Sequence, residues 1–192
     1  MKLLFLTFFA LFSASIPIGK TITVDKESAQ SALETLRDIR HNPGSYVKEL
    51  NFEEDINNVS SVELIWNDTL AKVAEAKAFD LANRNYFDHV DPDGYGINYF
   101  IAESGYSLNP EWTVNKGDVN FESLAAGPPT GRDAIKQLVK DSRDPNRGHR
   151  KHLLGLDEWN ANTTDVGIGY VRCSSGCKYK TYVCVIIAKH DW

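Results

Sequence analysis

The chain has 192 residues, with 21 Lys+Arg against 26 Asp+Glu, a formal net charge of −5 and a pI near 5.5. With 42% hydrophobic and 24% charged residues it can bury a core of its own, which excludes intrinsic disorder and a disulfide-stapled mini-protein. A mildly acidic chain without a long Lys/Arg cluster carries no footprint for phosphate backbones, so nucleic acid is not an expected partner. At the N-terminus Lys2 precedes the apolar run Leu3–Phe12 and the small residues Ser13, Ala14 and Ser15. This is the pattern of a secretory signal peptide ending near residue 19, and it is shorter than the ~20 residues of a membrane span. Its cleavage removes Lys2 and takes the charge from −5 to −6. No later stretch is long and apolar enough to cross a bilayer, so a secreted, extracellular protein is expected.

Ala29, Ala32, Leu33 and Leu36 recur at helical spacing, and the stripe stops near Asn42-Pro43-Gly44. A short second helix restarts at Pro43 and carries Tyr46, Val47 and Leu50. Leu70, Val73, Ala74, Lys77 and Leu81 form a third stripe, with Asn67 and Asp68 as cap candidates and the turn Asp91-Pro92-Asp93-Gly94 beyond it. The segment from Tyr95 to Lys116 has no sustained period and reads as loop with a short strand. Thr130-Gly-Arg-Asp133 is a capping box opening a helix through Ile135, Leu138 and Val139. Gly148–Leu154 reads as a short helix or a tight loop. Towards the C-terminus the period changes to two: Val166, Ile168 and Tyr170, a Ser-Ser-Gly turn, then the apolar run Thr181–Ile187. This predicts an antiparallel β-hairpin whose second strand is buried on both faces. Helices first and strands last is an α+β order, with no internal repeat to divide the chain.

Cys173, Cys177 and Cys184 lie within twelve positions. In an oxidising compartment two of them form a bridge, with all three pairings open, and the third thiol stays free or pairs between molecules. Asn58, Asn67 and Asn162 each head an Asn-x-Ser/Thr acceptor for glycosylation if the secreting cell is eukaryotic. Four further residues could carry chemistry: His89, Glu122, His149 and His152. Two imidazoles and a carboxylate suit a divalent cation, Zn²⁺ most naturally, or acid–base work on a bound substrate. His149 and His152 would share a helix face, one that the flanking Arg150 and Lys151 mark as surface.

Five blocks then recur in order: Leu64–Ala74, Tyr86-Phe-Asp-His89 running on to Gly94, Phe121-Glu122-Ser-Leu-Ala-Ala-Gly127, Gly148-His149-Arg150-Lys-His-Leu-Leu154 and Val166-Gly-Ile-Gly-Tyr170. Together they resemble the CAP (SCP) superfamily of cysteine-rich secretory, venom-antigen and pathogenesis-related proteins, over residues 29–188 as a single domain. The resemblance implies an α-β-α sandwich with a central antiparallel sheet between helical layers, and a cleft in which His89, Glu122 and His149 converge. It also implies a fourth acidic residue that no position here matches; Asp133, Asp141 and Asp144 precede His149, and Asp133 is already a capping residue. Ser123 stands where the family commonly has Asn. By this resemblance the chain is a secreted binding module, its His89 and His149 holding a weakly bound cation and its surface engaging a lipid, a sterol or an extracellular protein. The alternative is a metal-assisted hydrolase with Glu122 as general base. The incomplete acidic set and the lack of a Gly-x-Ser-x-Gly nucleophile favour binding over catalysis.

Overall fold

The computed structural model describes residues 19–190. Apart from Gly19, the expected leader lies outside the described residues. A five-stranded sheet has the order β1-β4-β5-β3, where β1 is Thr21–Val24, β3 Glu122–Ala126, β4 Asp165–Ser175 and β5 Thr181–Ala188. The fifth, β2 (Ile65–Trp66), pairs parallel with the start of β4, and all other pairings are antiparallel. The hairpin follows the predicted period, with Val166 opposite Ile187 and Ile168 opposite Val185. Every residue of β5 is buried, because helices cover both faces of the sheet.

Alternation along the strands sorts these faces. Val166, Ile168, Tyr170, Val183, Val185 and Ile187 face α1 (Lys26–His41), α5 (Gly131–Lys140) and α6 (Gly148–Leu154). Val171, Tyr182, Cys184 and Ile186 face α3 (Asp68–Arg84) and α4 (Ile97–Glu103). The result is the expected α-β-α sandwich. Helix α3 lies directly on β4, at two glycines: a Cβ on Gly169 would sit 2.3 Å from Ala74, and one on Gly167 would sit 2.2 Å from Leu70 and Ala71. The predicted caps are in place, with Asn67 Oδ1 accepting from the amides of Thr69 and Leu70 and Thr130 Oγ1 from that of Asp133. Pro43 opens a 3₁₀ turn leading into α2 (Val47–Leu50).

One expectation about the elements needs correction, and the cysteine pairing left open by the sequence is resolved. The Tyr95–Lys116 segment contains α4 and a 3₁₀ turn at Pro110–Thr113 rather than a short strand. Seven residues carry too little local signal to announce a helix. This one is held by burial of Ile97 and Ile101 and by Asn98, whose Nδ2 donates to Trp112 O and Asn120 Oδ1 at 2.7 Å each. Among the cysteines, Cys173 and Cys177 form the disulfide, with Cα atoms 6.2 Å apart, and Cys184 is a free buried thiol facing the α3 layer.

Candidate functional site

His89 sits on the loop that leaves α3, after Asn85 ends the helix in the left-handed region at φ 56°. Its ring Nδ1 lies 3.1 Å from Glu122 Oε1, at the first position of β3. The Glu122 carboxylate is wholly covered whereas the imidazole is 40% exposed, so the acid backs the ring and the ring faces solvent. The other Glu122 oxygen accepts from the Cys184 thiol at 3.6 Å. Burial, with Glu122 alongside, pushes that thiol well above its ordinary range, so it stays protonated and able to donate. The His89 carbonyl accepts from Lys77 Nζ (2.8 Å), a buried ammonium on α3. The predicted helix stripe therefore contributes Lys77 to holding the loop rather than to the apolar core alone.

His149, the second residue of α6, is placed across the cleft from His89. The two rings stack with centroids 6.4 Å apart and planes 29° from parallel. Asp141, left unassigned from sequence, backs this ring. It ends α5 in a left-handed conformation (φ 42°, ψ 40°), which turns its carboxylate back onto α6. One oxygen accepts from the His149 amide at 3.0 Å and the other lies 2.9 Å from His149 Nδ1. Asp144 accepts from the amides of Asn146 and Gly148, which hold its carboxyl below the usual range. The signal for Asp141 was its place just past the last apolar residue of α5, where Asn or Asp tolerates φ > 0.

The two halves are alike: each imidazole presents Nδ1 to a buried carboxylate, so with the proton on Nδ1 the Nε2 lone pair is left for the cleft, the arrangement typical of metal-binding histidines. Among the described residues no group of three or more His, Cys, Asp or Glu is arranged around a common point for a metal. A cation here would have two imidazole ligands and open positions. The cleft encloses about 340 Å³ between His89, Asn120, Glu122, His149 and Trp159.

His152 is not a surface residue. It is buried one turn beyond His149, where Ser123 donates its hydroxyl to Nδ1 at 2.8 Å and Nε2 points to Ile187 O at 3.5 Å. Burial lowers its pKa to about 4, despite the Ile187 carbonyl that opposes the shift. Arg150, also expected at the surface, is completely buried. Its guanidinium donates to the carbonyls of Leu50 (2.8 Å), Val139 (2.6 Å) and Lys140 (3.0 Å), which end α2 and α5. Of the glycosylation candidates, Asn58 and Asn162 are exposed, and Asn67 is the cap of α3.

Over residues 56–186 the chain matches the Cysteine-rich secretory protein family, CAP. The uncharacterized protein YkwD of Bacillus subtilis (strain 168) is 33% identical over 110 residues, covering 57% of this chain and 35% of that one, so this chain spans about a third of its length. Among solved structures, an outer surface protein from Borrelia burgdorferi aligns with a TM-score of 0.59 at 19% identity, over 90% of this chain and 100% of that one. An extracellular protein containing a SCP domain from Bacillus anthracis aligns at 0.54 and 21% identity over 86% of this chain and 41% of the other. The venom allergen-like protein 4 of Schistosoma mansoni aligns at 0.51 and 20% identity over 86% and 90%. At these identities the structural likenesses carry the fold.

Proposed function

The chain belongs to the CAP family, and from that premise we propose that it is an exported binding module whose cleft holds an exchangeable divalent cation between His89 and His149. The observation that carries this reading is the paired carboxylate support, Glu122 behind His89 and Asp141 behind His149. Such support fixes ring orientation and tautomer for metal ligation and has no comparable use for two solvent-facing histidines. Zn²⁺ suits two imidazoles with open positions, and when bound it would act as a Lewis acid on an oxygen ligand of a partner molecule. Two protein ligands imply weak, reversible binding. The Cys173–Cys177 bridge supports function outside the reducing cytosol.

The partner is a lipid, a sterol or an extracellular protein. A separate groove of about 500 Å³ between α3 and α4 combines an apolar surface from Val73, Ala76 and Phe100 with the charged side chains Lys72, Asp80 and Arg84, which supports an amphipathic ligand. The hydrolytic alternative needs Glu122 to take a proton from water. Its carboxylate is instead covered and engaged by His89 and Cys184, which favours binding over catalysis. Titration calorimetry of chelator-stripped protein with Zn²⁺ tests the cation site. Heat of binding that disappears in the His89→Ala, His149→Ala double variant is expected. No heat with the parent protein, or equal heat with the double variant, removes the cation from the function.

A further inference from the structure

Strand β3 forms one edge of the sheet. Ile187 donates its backbone N–H to Phe121 O (3.1 Å), and Gly127 donates to Thr181 O (3.0 Å). Bonded and non-bonded pairs alternate along an antiparallel ladder. With Ser123 opposite Val185 and Ala125 opposite Val183, the odd-numbered residues therefore direct both backbone groups to β5. The N–H and C=O of Glu122, Leu124 and Ala126 face the other way, out from the sheet. Exposed edges are commonly blunted by charges or proline. Here the only charged residue of the strand is Glu122, at the cleft end.

A groove of about 410 Å³ runs along this edge from Leu124 to Ala126. One bank is the aromatic pair Phe87 and Tyr179, with ring centroids 5.9 Å apart, and the other carries Gln137, Asp141, Ser142 and Arg143 from α5 and its exit. The Asp141 carboxylate is nearly covered and turned onto His149, which leaves Arg143 as the exposed charge of this bank. Leu124 belongs to the α3 core and Ala125 to the α1 core, so the groove lies between the two helical layers, in line with the sheet. A strand laid in it would direct alternate side chains to the aromatic and the polar bank. Its floor offers a donor and an acceptor at every second residue, a repeat of roughly 6.8 Å. Another extended backbone supplies that pattern, and a lipid chain or a sugar ring does not. Arg143 is exposed on a net-acidic protein and makes no ion pair among the described residues, which favours an occupant bearing a carboxylate.

We propose that the outer edge of β3 is a peptide-docking site, at which an extended, acidic segment of another protein adds as a sixth strand and sets its carboxylate against Arg143. The site adjoins the cation cleft: His149 borders both, and Asp141, which holds His149, lines the groove.

The probe is an N-acetylated Thr-Val-Thr-Val-Asp peptide, titrated in EDTA into the full isotope-labelled chain so that the outcome is independent of any cation. Slowed hydrogen exchange is expected at the amides of Leu124 and Ala126, with those of Ser123 and Ala125 unchanged because they already bond to β5. Arg143→Glu, a surface change, should weaken binding about tenfold or more. Ala126→Pro deletes one outward donor and leaves the β5 ladder intact, and it should abolish binding in protein whose melting curve shows it folded. Should that variant not fold, N-methylation of alternate peptide amides asks the same question from the peptide side: one set should abolish binding and the other should not. Absence of protection at Leu124 and Ala126 with millimolar peptide, or binding indifferent to both Arg143→Glu and N-methylation, would overturn the proposal. So would a concentration-dependent dimer with the same alternating protection and no response to peptide, which would assign the edge to a second copy of this chain.

Discussion

Replacing Arg150 by Met keeps the aliphatic volume beneath α6 and removes its donors. The carbonyls of Leu50, Val139 and Lys140 then lose the guanidinium. They are last-turn carbonyls of α2 and α5, which helix geometry leaves without an intrahelical partner. Each buried, unmatched acceptor costs about 1–3 kcal/mol. Glu54, which pairs with Arg150 at 2.6 Å, is 31% exposed, so water reaches that side. Lys140 is exposed and its carbonyl keeps Arg147 Nη1 at 2.9 Å, so the range applies to the Leu50 and Val139 carbonyls and gives about 2–6 kcal/mol, in line with the ~3–5 kcal/mol lost on breaking buried ion pairs. At roughly 2–4 °C per kcal/mol for a domain of this size, Tm should fall by about 10 °C. Calorimetry or near-ultraviolet circular dichroism measures this directly. The control is Glu54→Gln, which removes only the half-exposed charge and should cost about 1 kcal/mol or less. The reasoning fails if Arg150→Met changes stability by less than about 1 kcal/mol, or if Glu54→Gln matches it, because the bonds to the helix-end carbonyls would then carry none of the effect.

Asp141→Asn keeps a residue tolerant of the left-handed turn but weakens the hold on His149, so Zn²⁺ affinity should drop about 10–100-fold with little change in Tm, read by the same calorimetric titration. His152 is neutral in the fold down to about pH 4. An unfolded histidine takes up its proton near 6.5, so between these values the unfolded state binds more protons and stability falls as the pH drops through the window. The contribution amounts to about 3 kcal/mol, and melting curves of His152→Gln against the parent should show a shallower decline from pH ~6.5 to ~4; parallel curves would show that His152 titrates normally. Gly169→Ala should destabilise by several kcal/mol or prevent folding, since its Cβ would meet the α3 backbone at 2.3 Å; a soluble variant with parental Tm, checked by the same melts, would mean that α3 can lift off the sheet at little cost.

What could be read in advance was whatever is encoded locally. The stripes of α1 and α3, the caps at Asn67 and Thr130 and the period-two hairpin depend on residues within a few positions of each other, and all appear as expected. Strands β1, β2 and β3 leave no such local mark, because their existence depends on partners far along the chain: Thr21 pairs with Ser175, and Glu122 with Ile186. In the site, His89, Glu122 and His149 came through resemblance, and nothing in their spacing would have joined them. Asp141 escaped because its role depends on how α5 turns into α6. The flanks of His152 misled for a related reason. A charged neighbour usually means solvent, but the carbonyls at two helix ends can stand in for water around a guanidinium, and Arg150 takes that place.

Strands β4 and β5 form the shared wall of both cores, facing α1 and α5 on one side and α3 and α4 on the other. A growing chain that has reached only residue 164 already carries the apolar stripes of those helices and has no surface to lay them on. Neither half has its wall before the hairpin is made, so the nascent chain should stay open and protease-sensitive until residues 165–188 have left the ribosome. The same wiring makes the finished domain all-or-none towards proteolysis: a cut that frees the hairpin dismantles both layers together.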